Sequence, residues 1–253
     1  MTCAFGTDGV HVASGGLDNL CSIYKANPDP GSASRATREL TAHEGYISSC
    51  RFINPSTILT ASGDSTCRLW NIETGDCIDT FAGHDGDCMS VSPSPTDPNI
   101  FVSGSCDTTA KIWDIRTPQE CVQNFLGHES DLNSVAFLGN GMGFGSASDD
   151  SSCRLFDLRS YGQVNCFASD KFTCGITSVD FSKSGRYLFA GYENATCQIW
   201  DTFGAGKTPV QSIGGSVGHE NRVSCVGVNN GRNGTGGTAL CTGSWDMSLK
   251  VWA

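Results

Sequence analysis

The sequence predicts an all-β fold, a β-propeller of about six blades with four antiparallel strands each. Three observations carry that expectation. Glycine is abundant, with 31 in 253 residues, and charged residues make up only 17 %, against about 7 % and 25 % in average chains. Short apolar runs such as SSCRF, ILTAS, CRLWN and CIDTF are separated by Gly, Asp, Asn and Ser clusters, the pattern of strands and turns. The chain also repeats itself. Aligning CSIYK, CRLWN, AKIWD, CRLFD, CQIWD and LKVWA puts Tyr24, Trp70, Trp113, Phe156, Trp200 and Trp252 in register, spaced 43 to 52 residues apart. Four strands per ~43 residues is the size of a propeller blade. No segment has helical periodicity over ten residues, so helix content should be very low.

The elements of each repeat follow in order. Units run approximately 1–41, 42–82, 83–126, 127–168, 169–217 and 218–253, within a single domain. Six positions before the aromatic stands Asp18, Asp64, Asp107, Asp150, Asn194 or Asp246, and ten before it Ser14, Thr60, Ser103, Ser146, Ala190 or Thr242. His43, His84, His128 and His219 open four of the units. A turn Asp can accept from the His, the His can engage the Ser/Thr hydroxyl, and that hydroxyl can accept the indole N–H, so each buried polar group has a partner. The sets His43–Thr60–Asp64–Trp70, His84–Ser103–Asp107–Trp113 and His219–Thr242–Asp246–Trp252 are complete. The set His128–Ser146–Asp150 ends in Phe156 and lacks the indole donor. The Trp200 unit has Ala190, Asn194 and no His, and should rely on packing alone.

These residues also invite sharper readings. Ser, His and Asp together suggest a hydrolase triad, but a nucleophile is needed once and the set recurs at fixed spacing. The histidines stand one per repeat with no ligand pair at short spacing, which speaks against zinc. FGAGKTP (203–209) resembles the end of a phosphate loop, but the glycine required five before Gly206 is Asp201, and a strand-like run follows. The polar stretch 28–37 and the Gly-rich stretch 227–237 read as loop insertions. Asn194 and Asn233 begin glycosylation acceptor triplets, which are idle in an intracellular chain. No catalytic, cofactor or metal site is expected.

A net charge of −10 without a basic cluster disfavours nucleic acid as a partner. Fourteen cysteines lie mostly in strand-like runs (Cys21, Cys67, Cys153, Cys197) with no C-x-x-C pair, and read as reduced, buried thiols of a cytoplasmic protein. The N-terminus has no signal-peptide pattern and no run is long enough to insert in a membrane.

The segments MTCAF, GGLDNLCSIY, ILTASGDSTCRLW, GHESDLNSV, SDDSSCRLFDLR, CGITSVDFSKSGR and TGSWDMSLKVW resemble the β subunit of heterotrimeric G proteins, a WD-repeat family, from Met1 to Ala253. The resemblance implies a seven-bladed propeller preceded by a helix that forms a coiled coil with the γ subunit. By this comparison the sequence corresponds to an N-terminally truncated member, an incomplete ring whose last outer strand is also missing. Such a ring exposes strand edges, which invites association.

The resemblance further implies a non-enzymatic subunit of receptor signalling that binds the GDP-bound α subunit and effectors, cytoplasmic and peripheral at the inner face of the plasma membrane. γ is implied as a partner too, although no counterpart of the helix that grips it is present. The family's α and effector contacts carry over to Met1, Leu17, Asn19, Tyr46, Asp87, Met89, Cys106, Asp131, Asn133, Asp149 and Trp245. Leu17, Tyr46, Met89 and Trp245 would be apolar anchors in loops, ringed by the acidic Asp87, Asp131 and Asp149. For each aspartate the plainer reading is a turn residue. Two alternatives belong to other classes: a stand-alone WD-repeat scaffold similar to the receptor for activated C kinase, and a propeller enzyme. FSKSGR and SDDSSCRLFDLR argue against the first, and the lack of carboxylates or ligands outside the repeat against the second.

Overall fold

Period-2 patterning and closely spaced turn residues favour strands that pair with their sequence neighbours. A computed structural model describes residues 1–27, 35–171, 173–229 and 239–252. Most of the insertion at 28–37, most of the Gly-rich stretch with Asn233, and Ala253 therefore lie outside the described residues. The chain is a WD-repeat β-propeller chain of six antiparallel sheets, each built from consecutive strands.

Its contacts group into two units, Met1–Asn124 and Phe125–Ala253. In the first unit, blade one holds Thr2–Phe5, His11–Gly15, Cys21–Lys25 and Arg38–Leu40. Blade two holds Ile47–Asn54, Thr57–Ser62, Thr66–Asn71 and Cys77–Ala82. Blade three holds Cys88–Pro93, Ile100–Ser105, Ala110–Asp114 and Gln123–Phe125, whose last residue opens the second unit. In the second unit, blade four holds Leu132–Phe137, Gly143–Ser148, Cys153–Asp157 and Gly162–Phe167. Blade five holds Ile176–Phe181, Tyr187–Tyr192, Cys197–Asp201 and Gln211–Ile213. Blade six differs from the other five: among the described residues it has three strands, Val223–Asn229, Ala239–Ser244 and Leu249–Trp252. The one helical turn described is a 3-10 turn at Gly215–Val217.

Burial tracks position within the blade. Second strands such as Thr57–Ser62, Ile100–Ser105 and Gly143–Ser148 are buried at nearly every position. They are flanked by strands on both edges and packed on both faces, so their sequences are runs of small and apolar residues and do not alternate. Small size is required there: a Cβ on Gly145 would lie 2.6 Å from the Phe181 ring of the next blade. Fourth strands such as Cys77–Ala82 alternate, with one face in solvent.

Each core lies between successive blades. Ala13, Ile23 and Leu40 of blade one pack with Ile47, Phe52 and Trp70 of blade two. Ala147, Leu155 and Phe167 of blade four pack with Ile176, Leu188 and Trp200 of blade five. Cys21, Cys50, Cys67, Cys88, Cys153 and Cys197 are buried and all fourteen cysteines are free thiols, whereas Cys3 and Cys225 are exposed.

Two local devices recur in register. The residue after each turn Asp or Asn has a positive φ of 63° to 68° (Asn19, Ser65, Thr108, Ser151, Ala195, Met247), which reverses the chain between the second and third strands. Five blades also carry a register shift near the start of the first strand, at Ser48, Met89, Asn133, Thr177 and Ser224. Such bulges re-aim a side chain out of the pleat.

Candidate protein interface

The polar sets hold the end of blades two, three, four and six where the site residues stand. In blade two His43 Nδ1 is 2.7 Å from Asp64 Oδ2, His43 Nε2 is 2.7 Å from Thr60 Oγ1, and Trp70 Nε1 donates to the same oxygen at 2.8 Å. Blade three repeats this with His84–Asp107 at 2.7 Å, His84–Ser103 at 2.7 Å and Trp113–Ser103 at 2.8 Å. Blade six does so with His219–Asp246 and His219–Thr242 at 2.8 Å and Trp252–Thr242 at 2.9 Å. The ionised Asp accepts from Nδ1–H, which leaves Nε2 to accept the hydroxyl proton, so the hydroxyl's lone pairs are free for the indole. For His43, whose pKa burial lowers, that order is the arrangement of the neutral ring.

In blade four His128 reaches Asp150 at 2.7 Å and Ser146 at 2.6 Å. Phe156 there stacks with Phe144 at 5.1 Å and meets Phe125 edge-on. In blade five the fully buried Tyr192 packs in one cluster with Trp200 and Ala190. Burial pushes the Tyr192 hydroxyl pKa up, while the Trp200 indole pulls it down. Asn194, with no His to serve, keeps one oxygen for the Thr196 amide and hydroxyl.

Two further registers went unread in the sequence. Ser62, Ser105, Ser148 and Ser244 donate to the carbonyls of Gly45, Gly86, Ser130 and Asn221, tying the turn to the incoming loop. Thr66, Thr109, Ser152 and Ser248 donate to the turn Asp. Their signal was a hydroxyl two residues either side of each Asp.

Burial pushes the Asp107 and Asp150 carboxyls up, but hydrogen bonds from the paired His and hydroxyl outweigh it and hold both well below the usual range. Asp64 is lowered by the same balance, with Thr66 and His43 outweighing burial. Asp246 is held low chiefly by Ser248. Burial depresses the His43 pKa below its ordinary 6.5, more than Asp64 raises it.

A pH dependence of stability follows. Below pH 6.5 the unfolded chain gains a proton that His43 does not gain in the fold, so stability falls. Below the ordinary carboxyl value of 3.8 the unfolded chain again binds protons first, ahead of Asp64, Asp107 and Asp150, and stability falls further. Urea midpoints at pH 8, 5.5 and 3 should decrease in that order, and equal midpoints at pH 8 and 5.5 would contradict the assignment of a neutral His43.

The residues carried over from the resemblance occupy one end of their own blades, where the first strand begins and the second turns into the third. In the first unit Met1, 68 % exposed, anchors its amino group on the Gly15 carbonyl at 2.9 Å. Leu17 is 78 % exposed and Asn19 donates to the Glu44 carbonyl at 3.1 Å. Tyr46, Asp87, Met89 and Cys106 come together. The Tyr46 hydroxyl donates to Asp87 Oδ2 at 2.8 Å and lies 3.4 Å from the Met89 sulfur, and the Cys106 amide donates to the Asp87 carbonyl. Met89 stands at a strand bulge and is half-buried, as is Tyr46, so Leu17 and Met1 are the apolar groups most open to solvent here.

In the second unit Asn133, also at a bulge, donates to Asp149 Oδ1 and to the Ile176 carbonyl, and the Asp149 amide donates to the Asp131 carbonyl. Trp245 is 63 % exposed and its ring lies 4.7 Å from the Arg222 guanidinium, which also reaches Glu193 at 3.4 Å. Arg222 and Glu193 were missed, yet register could have found them. Arg222 aligns with Tyr46, Asp87 and Asp131, three residues after the His, and Glu193 aligns with Leu17, Cys106, Asp149 and Trp245, just before the turn residue. Within each unit, this end of the blades presents apolar groups beside carboxylates, with the Met1 ammonium in the first unit and the Arg222 guanidinium in the second.

Comparisons with known proteins agree with this architecture. The G protein beta WD-40 repeat protein family matches residues 1–253. The chain is similar to guanine nucleotide-binding protein subunit beta of Oryza sativa subsp. japonica, at 44 % identity over all of this chain and 69 % of the relative. The corresponding proteins of Solanum tuberosum and Arabidopsis thaliana share 45 % and 43 % identity over the same fractions. No helix among the described residues is long and apolar enough to cross a membrane. With six WD blades and these matches over its whole length, the chain belongs to the G protein beta WD-40 repeat family.

Proposed function

We propose that this chain is a non-enzymatic signalling subunit that binds the GDP-bound α subunit of a heterotrimeric G protein, together with γ, and also binds effectors. Its place would be the cytoplasmic face of the membrane, reached through those partners. The observation that carries the reading is Trp245: a large aromatic, 63 % exposed in a turn, stacked on Arg222 and outside the core. Exposed aromatics held in a fixed pose are frequent interface hot spots. Leu17 and Met1 extend the same kind of surface on the first unit.

The test is titration of the chain, alone and with a γ subunit, against α loaded with GDP or with a non-hydrolysable GTP analogue. Saturable binding to the GDP form, weakened in the GTP form, is expected. Absence of binding to either form, with and without γ, would reject the proposal.

A further inference from the structure

At the opposite end of blades one and two from Met1, Leu17 and Tyr46 lies a recess of about 260 Å³, contained in the first unit. It is lined by His11, Ile23, Lys25, Thr37, Arg38, Pro55, Ile72 and Glu73. The sequence puts these residues together through register. His11 pairs with Lys25 at the ends of adjacent strands, and Arg38 pairs with Ile23 on the next strand. Pro55 and Glu73 come from loops flanking the facing strands of blade two.

Two of the three basic side chains are fixed in place. Arg38 donates through Nε and Nη2 to the Glu73 carbonyl at 2.9 and 2.7 Å, which sets its plane and leaves Nη1 free to donate. His11 is held by Asp8 at 2.6 Å through Nδ1, so its Nε2 is the nitrogen left for a ligand. The Val10 amide and the His11 ring hold the Asp8 carboxyl down at about 2, so its charge is engaged by His11. Lys25 is exposed beside them. Ile23 and Ile72, both buried, give the recess an apolar floor. Among the described residues Glu73 supplies the one carboxylate in the lining.

We infer that this recess binds a phosphate monoester, with its oxygens taken by Arg38 and Lys25 and its organic stub laid on Ile23 and Ile72. A pre-oriented guanidinium suits a tetrahedral oxyanion, because its fork matches two oxygens while an ammonium adds a point charge. The site would be occupied at the far end of blade one from the proposed α contacts, so the two can fill independently. In a chain of net charge −10, a local pair of cations with free donors is not a general surface property.

The experiment is calorimetric titration of the full chain with inorganic phosphate and with glycerol 3-phosphate, alongside flotation with phosphatidylcholine vesicles with and without phosphatidic acid. One-site binding is expected, weakened about tenfold or more in Lys25→Gln and in Arg38→Gln. It should be tightened in Glu73→Gln, which removes the competing carboxylate, and unchanged in Arg116→Gln, a basic residue of blade three paired with Asp114. Dependence of the soluble titrations on Lys25 and Arg38 identifies a soluble ester. The same dependence seen only with phosphatidic acid vesicles identifies a lipid headgroup. No saturable binding in either arm, or equal losses in Arg116→Gln, overturns the proposal. All four positions have exposed polar groups, and a thermal melt of each variant separates lost binding from lost folding.

Discussion

Replacing Asp107 by alanine is expected to destabilise the chain by about 3 kcal/mol or more. The carboxylate accepts from His84 Nδ1, the Asp85 amide, and the Thr109 amide and hydroxyl. Each bond to a charged acceptor is worth roughly 1.5–3 kcal/mol, and buried donors left without a partner add their desolvation cost. Water cannot fully replace it, because the Asp107 side chain is only 11 % exposed and that of His84 1 %. A freed His84 also ceases to order Ser103, whose hydroxyl takes the Trp113 indole proton. For a domain of this size the loss corresponds to a fall in Tm of about 6–12 °C.

Asp107→Asn should fall between the two. A single amide oxygen can serve Thr109 but not His84 as well, and its amino group would face the His84 N–H. Asn194 illustrates the limit: it occupies the same position in blade five, where no His makes a second demand. A melting point for Asp107→Ala within 1 °C of wild type would show that the set contributes no stability.

Trp245→Ala is expected to weaken binding of GDP-loaded α by about 2 kcal/mol, close to thirtyfold, while leaving Tm unchanged. The indole is mostly in solvent and its known contact is the Arg222 guanidinium, so folding loses little when it is removed. Binding loses more, because a stacked indole is already oriented and gives up little entropy on association. Arg222→Ala should produce a smaller loss of the same sign, since the ring would remain but without its support. An affinity for α within twofold of wild type in Trp245→Ala would remove Trp245 from the proposed interface.

The contrast between these two positions also marks how far the sequence could be read. Asp107 and Trp245 both stand at the same kind of turn; the repeat register located Asp107, whereas Trp245 came from the family resemblance. The His–hydroxyl–indole order was legible because a buried hydrogen-bond set must be complete, so its members recur together at fixed spacing. Met89 and Asn133 were harder. Met89 was expected as an anchor in a loop and Asn133 only through the resemblance, but both lie at strand bulges whose position depends on pairing with the second strand. Arg222 and Glu193 had only their register positions as a signal, and the ion pair that brings Glu193 of blade five to Arg222 beside Trp245 exists only once blades five and six are packed. The recess around Arg38 has the same origin, since Pro55 and Glu73 approach His11 and Lys25 from a different blade.

By itself the sequence determined the strands, their grouping into units of about 43 residues, the hydrogen-bond sets and the family. Those features are local or periodic, and pairing between sequence neighbours needs no information from elsewhere in the chain. Only the tertiary structure decided which side chains meet across blades, among them Tyr192 and Trp200 of blade five with Ala147 and Phe167 of blade four. The physical reason is that such contacts depend on distance between separate sheets, and that distance is set by packing of whole blade faces and not by the spacing of any one motif.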